Sequence, residues 1–428
     1  MRVTPEIELL YICARGQLTS EQSERIGELA TQPAFDWPYL LKIAHQHNLT
    51  PLVYRHLKTV GANVVPPTIS QELQTFWNEL TRHNLVLTSE LIRVIKFLQA
   101  QQLSVLVFKG PILSQQAYGN VTMRQYADLD ILVPRADIDR ARQLLQDLGY
   151  EAGFKLTAAQ LKAFPKTHSE EPFWYKDTAK NPVMIDLHWE LLLPYYSFAP
   201  DETLAWTDTT HVTIGNAKIP TLSDENLLLF LCVHAAKHNW QQLGQVADIA
   251  QLIRNKPAID WQSLIAHQYQ LGNRRMLLLG LYLAHQLLDC PLPAHILRQF
   301  ETALYLPKLL KQVQANMFED NKAVLAAHVL KDNSGLKTRL IFDYGHRLYT
   351  WLNKDAIFLS STESLKDKGQ YWFNRFLRPE TVDWEMLPLP NQLSFLYYPF
   401  RPLRLLFSYL FRRNTTRLQS KLVATAKK

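Results

Sequence analysis

The chain has 428 residues, 47% hydrophobic and 20% charged; that is enough apolar material for a sizeable core in two or three domains, and it excludes a disordered chain. The formal charge of +7 resembles a nucleic-acid footprint, but Arg401, Arg404, Arg412, Arg413, Arg417, Lys421, Lys427 and Lys428 follow Glu385 with no acid among them. The basicity therefore belongs to a tail, and the body is close to neutral.

Cys13, Cys232 and Cys290 are far apart. They form neither a disulfide framework nor a C-x-x-C metal site, and fit small core residues in a reducing compartment. The start, "MRVTPEIELLYICARGQ", reads as an amphipathic helix opened by Thr4 and Pro5 and makes a poor signal peptide. No apolar run reaches the roughly 20 residues of a membrane span; the nearest, "MLLLGLYLAHQLL" at 276–288, holds His285 and Gln286. The expected location is cytoplasmic.

Residues 1–95 read as helices. Asp36 can cap "DWPYLLKIAHQHN", and Ser70 can open a long run to about residue 102 with apolar residues at three- and four-residue intervals. The period then changes. "SVLVF" at 104–108 is a short strand, "PILSQQAY" at 111–118 a helix begun by proline, "DLDILV" at 128–133 a second strand, and "DIDRARQLLQDLG" at 137–149 a helix closed by Gly149. A polar stretch at 152–181, with Lys155, Lys162, Lys166, His168, Glu170 and Glu171, precedes a third strand in "NPVMIDLHWEL". From Ser223 the text is helical again, to about residue 370. The expected architecture is α+β: a core at 96–220 with a small mixed sheet, helical regions at 1–95 and 221–370, and a basic, aromatic-rich tail at 371–428.

Chemistry concentrates on the strands. Side chains two apart share a face, so Asp128 and Asp130 point together, and Asp186 shares a face with His188 on the third strand. Neighbouring strands run about 4.8 Å apart, which lets three carboxylates converge. Three close negative charges repel unless a cation balances them, and hard divalent ions take carboxylate oxygens and leave room for phosphates. Upstream, Lys109-Gly110-Pro111 turns a strand end into a helix N-terminus, the usual seat of a phosphate.

Strand, glycine, helix, Asp-x-Asp strand and later Asp strand is the layout of the nucleotidyltransferase fold related to polymerase beta. Residues 105–150 with "VMIDLHWEL" resemble, in more detail, a bacterial nucleotidyltransferase family often labelled uncharacterised. Lys109, Gly110, Tyr118, Arg124, Asp128, Asp130, Gly149, Tyr150, Asp186, His188 and Trp189 match its pattern in order, and the resemblance covers mainly residues 90–250. It implies transfer of a nucleoside monophosphate from an NTP to a hydroxyl acceptor, with release of pyrophosphate. Asp128 and Asp130 would bind two Mg²⁺ (or Mn²⁺) ions; Asp186 would bind the acceptor-side metal and help deprotonate the hydroxyl. The wider superfamily has Gly-Ser or Gly-Gly at the phosphate turn. This chain does not, so triphosphate recognition falls to backbone, Lys109, Gly110, Ser114 or Arg124, with His188 beside them.

Two alternatives stay open: a catalytically silent nucleotide- or partner-binding member of the fold, and a metal-dependent phosphohydrolase using the same aspartates. His188 can equally pack under Trp189. His234 and His238 have a zinc-compatible spacing on a helix, but lack a HExxH glutamate and read as helix packing or, alternatively, as lining of the nucleotide or acceptor cleft from the helical domain. The tail from about 391 to 428 suits either an interfacial membrane helix with basic heads on anionic lipid or a helix docked on the protein's own body. The acceptor is expected to be a small molecule, glycan or protein rather than nucleic acid.

Overall fold

The computed structural model describes residues 3–60, 64–175, 183–193, 205–206, 208–318, 355–387 and 389–411. The tail basics from Arg412 to Lys428, and the part of the expected helical region at 319–354, lie outside them.

Five helices come first: α1 (Pro5–Cys13), α2 (Ser20–Ala30), α3 (Trp37–Gln46), α4 (Thr50–Val60) and α5 (Pro67–Ala100). Asp36 caps α3 as expected, its carboxylate accepting from the Tyr39 N–H. The long helix begins at Pro67, three residues ahead of Ser70, because proline at the first turn needs no N–H partner.

The sheet follows. Strand β1 (Leu106–Val107), helix α6 (Gly110–Tyr118), strand β2 (Asp128–Leu132) and helix α7 (Ile138–Asp147) give the expected alternation. Strands β3 (Tyr150–Ala152), β4 (Glu170–Tyr175) and β5 (Met184–His188), with a short helix α8 (Ala158–Ala163) between β3 and β4, complete a five-stranded sheet of order β1-β2-β5-β4-β3. Only β2 and β5 run parallel; the other pairs are antiparallel. The fold is α+β with a mixed sheet.

One feature departs from the reading of 152–181 as a polar stretch, and a second lies where the sequence reading named no element, between β5 and Ser223. Strand β4 lies inside the polar stretch, where Glu171 is buried against Arg142, its Oε2 2.9 Å from Arg142 Nε. An inward carboxylate and Pro172 hide the alternation that a strand should show. A hairpin, β6 (Thr209–Ile214) and β7 (Ala217–Leu222), turns at Gly215, whose φ is +57°.

The lower face of the sheet, with Leu129, Ile131, Ile185, Leu187 and Phe173, packs on Leu91, Val94, Leu98 of α5 and Leu145 of α7. The upper face carries the charges.

Helices α9 (Asp224–Lys237), α10 (Leu243–Asn255), α11 (Trp261–Leu271), α12 (Arg274–Leu288), α13 (Ala294–Thr302) and α14 (Leu306–Phe318) follow. Helix α9 is apolar nearly all round because it is buried on several sides. These helices share one core with α1–α4: Leu9, Leu10, Leu40 and Val53 join Phe230, Val246, Ile249 and Leu279. The joint is tight at Gly244, which donates its N–H to the His47 carbonyl at 3.0 Å and where a Cβ would fall 2.5 Å from that oxygen. The run at 276–288 is the body of α12, buried inside this core, and no helix of the described residues is long and apolar enough to cross a membrane.

The last helices are α15 (Ala356–Ser361), α16 (Leu365–Leu377), α17 (Thr381–Met386) and α18 (Tyr397–Phe411). Trp384 and Tyr397 pack with Ile138, Phe164 and Trp189. Arg401 is buried between Glu380 and Asp383, at 2.6 and 3.1 Å. The described part of the tail therefore docks on the body along one face, while Leu403, Leu406 and Phe407 are exposed on the other.

Candidate active site

Strand register builds the carboxylate cluster. Asp128 stands opposite Met184, Asp130 opposite Asp186 and Leu132 opposite His188. Partners across a ladder share a face, so Asp128, Asp130, Asp186 and His188 crown the upper face together. On the far side of β5, Glu170 of β4 pairs in register with His188.

Charges interlock there. Lys109 Nζ lies 2.6 Å from Asp130 Oδ1, and His188 Nε2 reaches the same oxygen at 3.1 Å. His188 Nδ1 is 3.2 Å from Glu170 Oε2. The edge of Phe108 meets the His188 ring, with centroids 5.1 Å apart. Trp189 turns away from the site and donates its indole N–H to the His168 carbonyl at 2.7 Å. His188 is thus a buried member of the cluster, set between Asp130 and Glu170.

Burial alone would raise Asp130, but the Lys109 ammonium and His188 hold its carboxyl well below the usual range. Burial and then the charge of Asp130 raise Asp128, against Lys109 and His188. Asp186 is pushed up to about 7 by burial and then by Asp130. His188 is raised: burial would lower it, but Glu170 and Asp130 outweigh that. Lys237, from the end of α9, is lowered by its burial against the pull of Glu170 and Asp130. One carboxylate is neutralised, and the two beside it lack compensation.

The phosphate-like turn is present. Lys109, two residues past β1, caps α6 in extended backbone, and Gly110 adopts φ +55° as α6 starts, with Pro111 next. A Cβ on Gly110 would lie 3.3 Å from the Asp128 carbonyl oxygen, so the glycine lets α6 start directly over the aspartate strand.

Arg124 and Ser114 have other partners. Arg124 clasps Asp248 of α10 with two N–H groups, Nε to Oδ1 and Nη2 to Oδ2, both at 2.8 Å. Tyr118 donates its O–H to Asp248 at 2.9 Å. Buried Asn84 of α5 holds the approach loop by donating to the carbonyls of Val121 and Arg124. Ser114 is fully buried and donates its hydroxyl to the Asn120 carbonyl at 2.7 Å. The structure does not bring Ser114 to the cluster. It brings Arg124 to the cleft wall as a partner of Asp248.

An open cleft runs from the cluster between α6 and the α9–α10 pair. Lys109, Gly110, Asp128, Asp130, Arg124 and Gln125 line one side; His234, Gln242, Gly244, Gln245 and Asp248 line the other. Asp186, Glu170 and His188 are not part of its lining. His234 is held far below the usual imidazole range by burial and then by Lys109, so it lines the cleft as a neutral ring. Its ring lies 4.7 Å from that of His238.

The sequence reading missed the roles of Asp248 and Lys237, which reach the site from helices about a hundred residues downstream in the chain. The polar residues spaced along the otherwise apolar α9 and α10 were the available signal.

The match to a family model follows this geometry. The model of an uncharacterised nucleotidyltransferase family matches residues 33–289, more than half of the chain. The chain belongs to the uncharacterised nucleotidyltransferase family. The family region therefore spans α3 to the end of α12 and takes in the whole sheet and both walls of the cleft. Among solved structures, the chain is similar to an antigenic nucleotidyltransferase-like protein from Paracoccidioides brasiliensis, at 16% identity and a TM-score of 0.33, over 49% of this chain and 94% of that one. No curated protein matches.

Divalent ions suit these donors only in part. Asp130 Oδ2 is buried with no hydrogen-bond partner, and burial, then the charge of Asp130, keeps the Asp128 and Asp186 pKa values raised. These are the marks of carboxylates that a cation would relieve. Among the described residues, however, no three His, Cys, Asp or Glu side chains already stand as a set of metal ligands. Lys109 holds one oxygen of Asp130, and a metal would have to share that residue with it.

Proposed function

We propose that the protein transfers a nucleoside monophosphate from an NTP to a hydroxyl acceptor and releases pyrophosphate, in a reaction dependent on Mg²⁺ or Mn²⁺. One observation supports this reading above the others: the in-register pairing of Asp130 with Asp186, with Asp128 on the same face, beneath the start of α6 at Lys109-Gly110. Family membership supports the same class of chemistry.

The residues divide the work. Lys109 and the N-terminal turn of α6 hold triphosphate oxygens through charge and free N–H groups. Asp128, Asp130 and Asp186 would hold the divalent ions, which when bound supply charge neutralisation at the reacting phosphate and an in-line arrangement of attacking and leaving oxygens. Asp186, pushed up to about 7, suits a group that takes the proton of the incoming hydroxyl near neutral pH. His188, fixed between Glu170 and Asp130, orients Asp130.

A second reading rests on Lys109. Its ammonium stands on Asp130 as a built-in cation, which favours a catalytically silent nucleotide binder. The test is metal-dependent pyrophosphate release from NTP by the purified full chain, with a small-molecule and protein extract supplied as the source of acceptor, compared with an Asp186→Asn variant. Pyrophosphate lost in the variant supports transfer. Orthophosphate in its place points to a phosphohydrolase, and nucleotide bound without either product supports the silent binder.

A further inference from the structure

The polar wall of the cleft holds three buried atoms without hydrogen-bond partners: Arg124 Nη1, Gln125 Oε1 and Gln245 Oε1. All three residues line the cleft that also holds Asp130, whose Oδ2 is orphaned too and whose side chain is 1% exposed. Buried polar groups left unpaired are costly, and a ligand that pairs them removes that cost. Arg124 is held in place by its paired bonds to Asp248, so its spare N–H has a fixed direction. Gln245 sits at the start of α10, which Gly244 locks against His47.

We infer that this wall is the nucleoside subsite and that it selects a base bearing an amino group. The inference rests on the nucleotidyl-transfer reading. The cleft opens at Lys109, Gly110, Asp128 and Asp130, where that reading puts the triphosphate, and Asp186 does not line it. What enters the cleft is therefore the group attached to the triphosphate.

The donor inventory sets the preference. Two amide oxygens need two N–H donors, and the guanidinium N–H needs one acceptor near them. Adenine and cytosine offer an amino group beside a ring nitrogen, and guanine offers ring and amino N–H groups with a carbonyl. Uracil offers one N–H between two carbonyls and leaves an amide oxygen unpaired. A site built for a hydrogen bond rejects the ligand that lacks it.

Calorimetric titration of the full chain with ATP, CTP, GTP, UTP and inorganic tripolyphosphate, all with Mg²⁺, tests this for wild type and a Gln125→Leu/Gln245→Leu variant. The expected result is that at least one amino-bearing NTP binds about tenfold or more tighter than UTP. The double variant should bring that NTP to the UTP level while tripolyphosphate binding stays unchanged, which also reports an intact fold. If all NTPs bind like tripolyphosphate, or the double variant keeps the preference, the subsite is overturned and the transfer reading stands. If neither NTP nor tripolyphosphate binds wild type, both fall.

Discussion

Asp248 is the structural keystone of the cleft wall, and its removal tests the packing argument. The carboxylate is 10% exposed and the Arg124 guanidinium 17%, with two N–H···O contacts at 2.8 Å. Truncation in Asp248→Ala leaves a nearly buried guanidinium without its counter-charge, a loss of about 3–5 kcal/mol. The Tyr118 hydroxyl loses its acceptor as well, about 1–3 kcal/mol, although the two losses share one residue and do not add fully. Against a typical stability of about 5–15 kcal/mol, the variant stays folded but is clearly weakened. Replacing both partners, Arg124→Met with Asp248→Leu, removes the unpaired charge and should recover most of the loss. Urea denaturation of Arg124→Met, Asp248→Leu, their double and wild type gives the coupling energy, provided the slopes agree, with Asp248→Ala measured beside them. A loss below about 1 kcal/mol in Asp248→Ala, or a double variant no more stable than that single, would refute the reasoning.

Further outcomes follow from the same geometry. Gly110→Ala forces a side chain into φ +55° and 3.3 Å from the Asp128 carbonyl; it should cost about 1–2 kcal/mol and weaken nucleotide binding, read by thermal melts and titration. Ser114→Ala breaks only the bond to Asn120, so stability should fall by about 1 kcal/mol while nucleotide affinity holds. His47, His56 and His168 are each lowered to about 4, chiefly by burial. Their neutral forms are favoured by folding, so their contribution is complete above the unfolded value near 6.5 and is lost as pH falls toward 4, up to about 3 kcal/mol for a fully buried ring. His47→Gln should flatten that acid slope in melts recorded from pH 7 to pH 4.

The aspartate pair was legible because strand alternation is a local property: Asp128 and Asp130 needed only the two-residue period to share a face, whereas Asp186 joins them through the β2–β5 register. Lys109-Gly110 was legible for the same reason, as a break between a strand and a proline-opened helix. What the text concealed was long-range. Arg124, four to six residues before the aspartates, was assigned to triphosphate recognition; it pairs with Asp248, because α10 packs on α6 through a shared apolar core that no local pattern records. Strand β4 was hidden because Glu171 is satisfied by Arg142 across the structure, a pairing invisible in a hydrophobicity pattern. Ser114 was assigned by its nearness to Gly110 in sequence, but the α6 helix turns it to the buried side. The described part of the tail packs on the body through Trp384 and Tyr397, a long-range contact that the tail's own composition does not record.

Transfer itself is tested most directly by incubating the full chain with each α-labelled NTP and Mg²⁺ or Mn²⁺ in clarified lysate, beside an Asp128→Asn/Asp130→Asn variant. The account predicts that label from one NTP moves to an acceptor with the wild type and not with the variant. Nucleotide that binds with metal while no label moves and no pyrophosphate forms would contradict it.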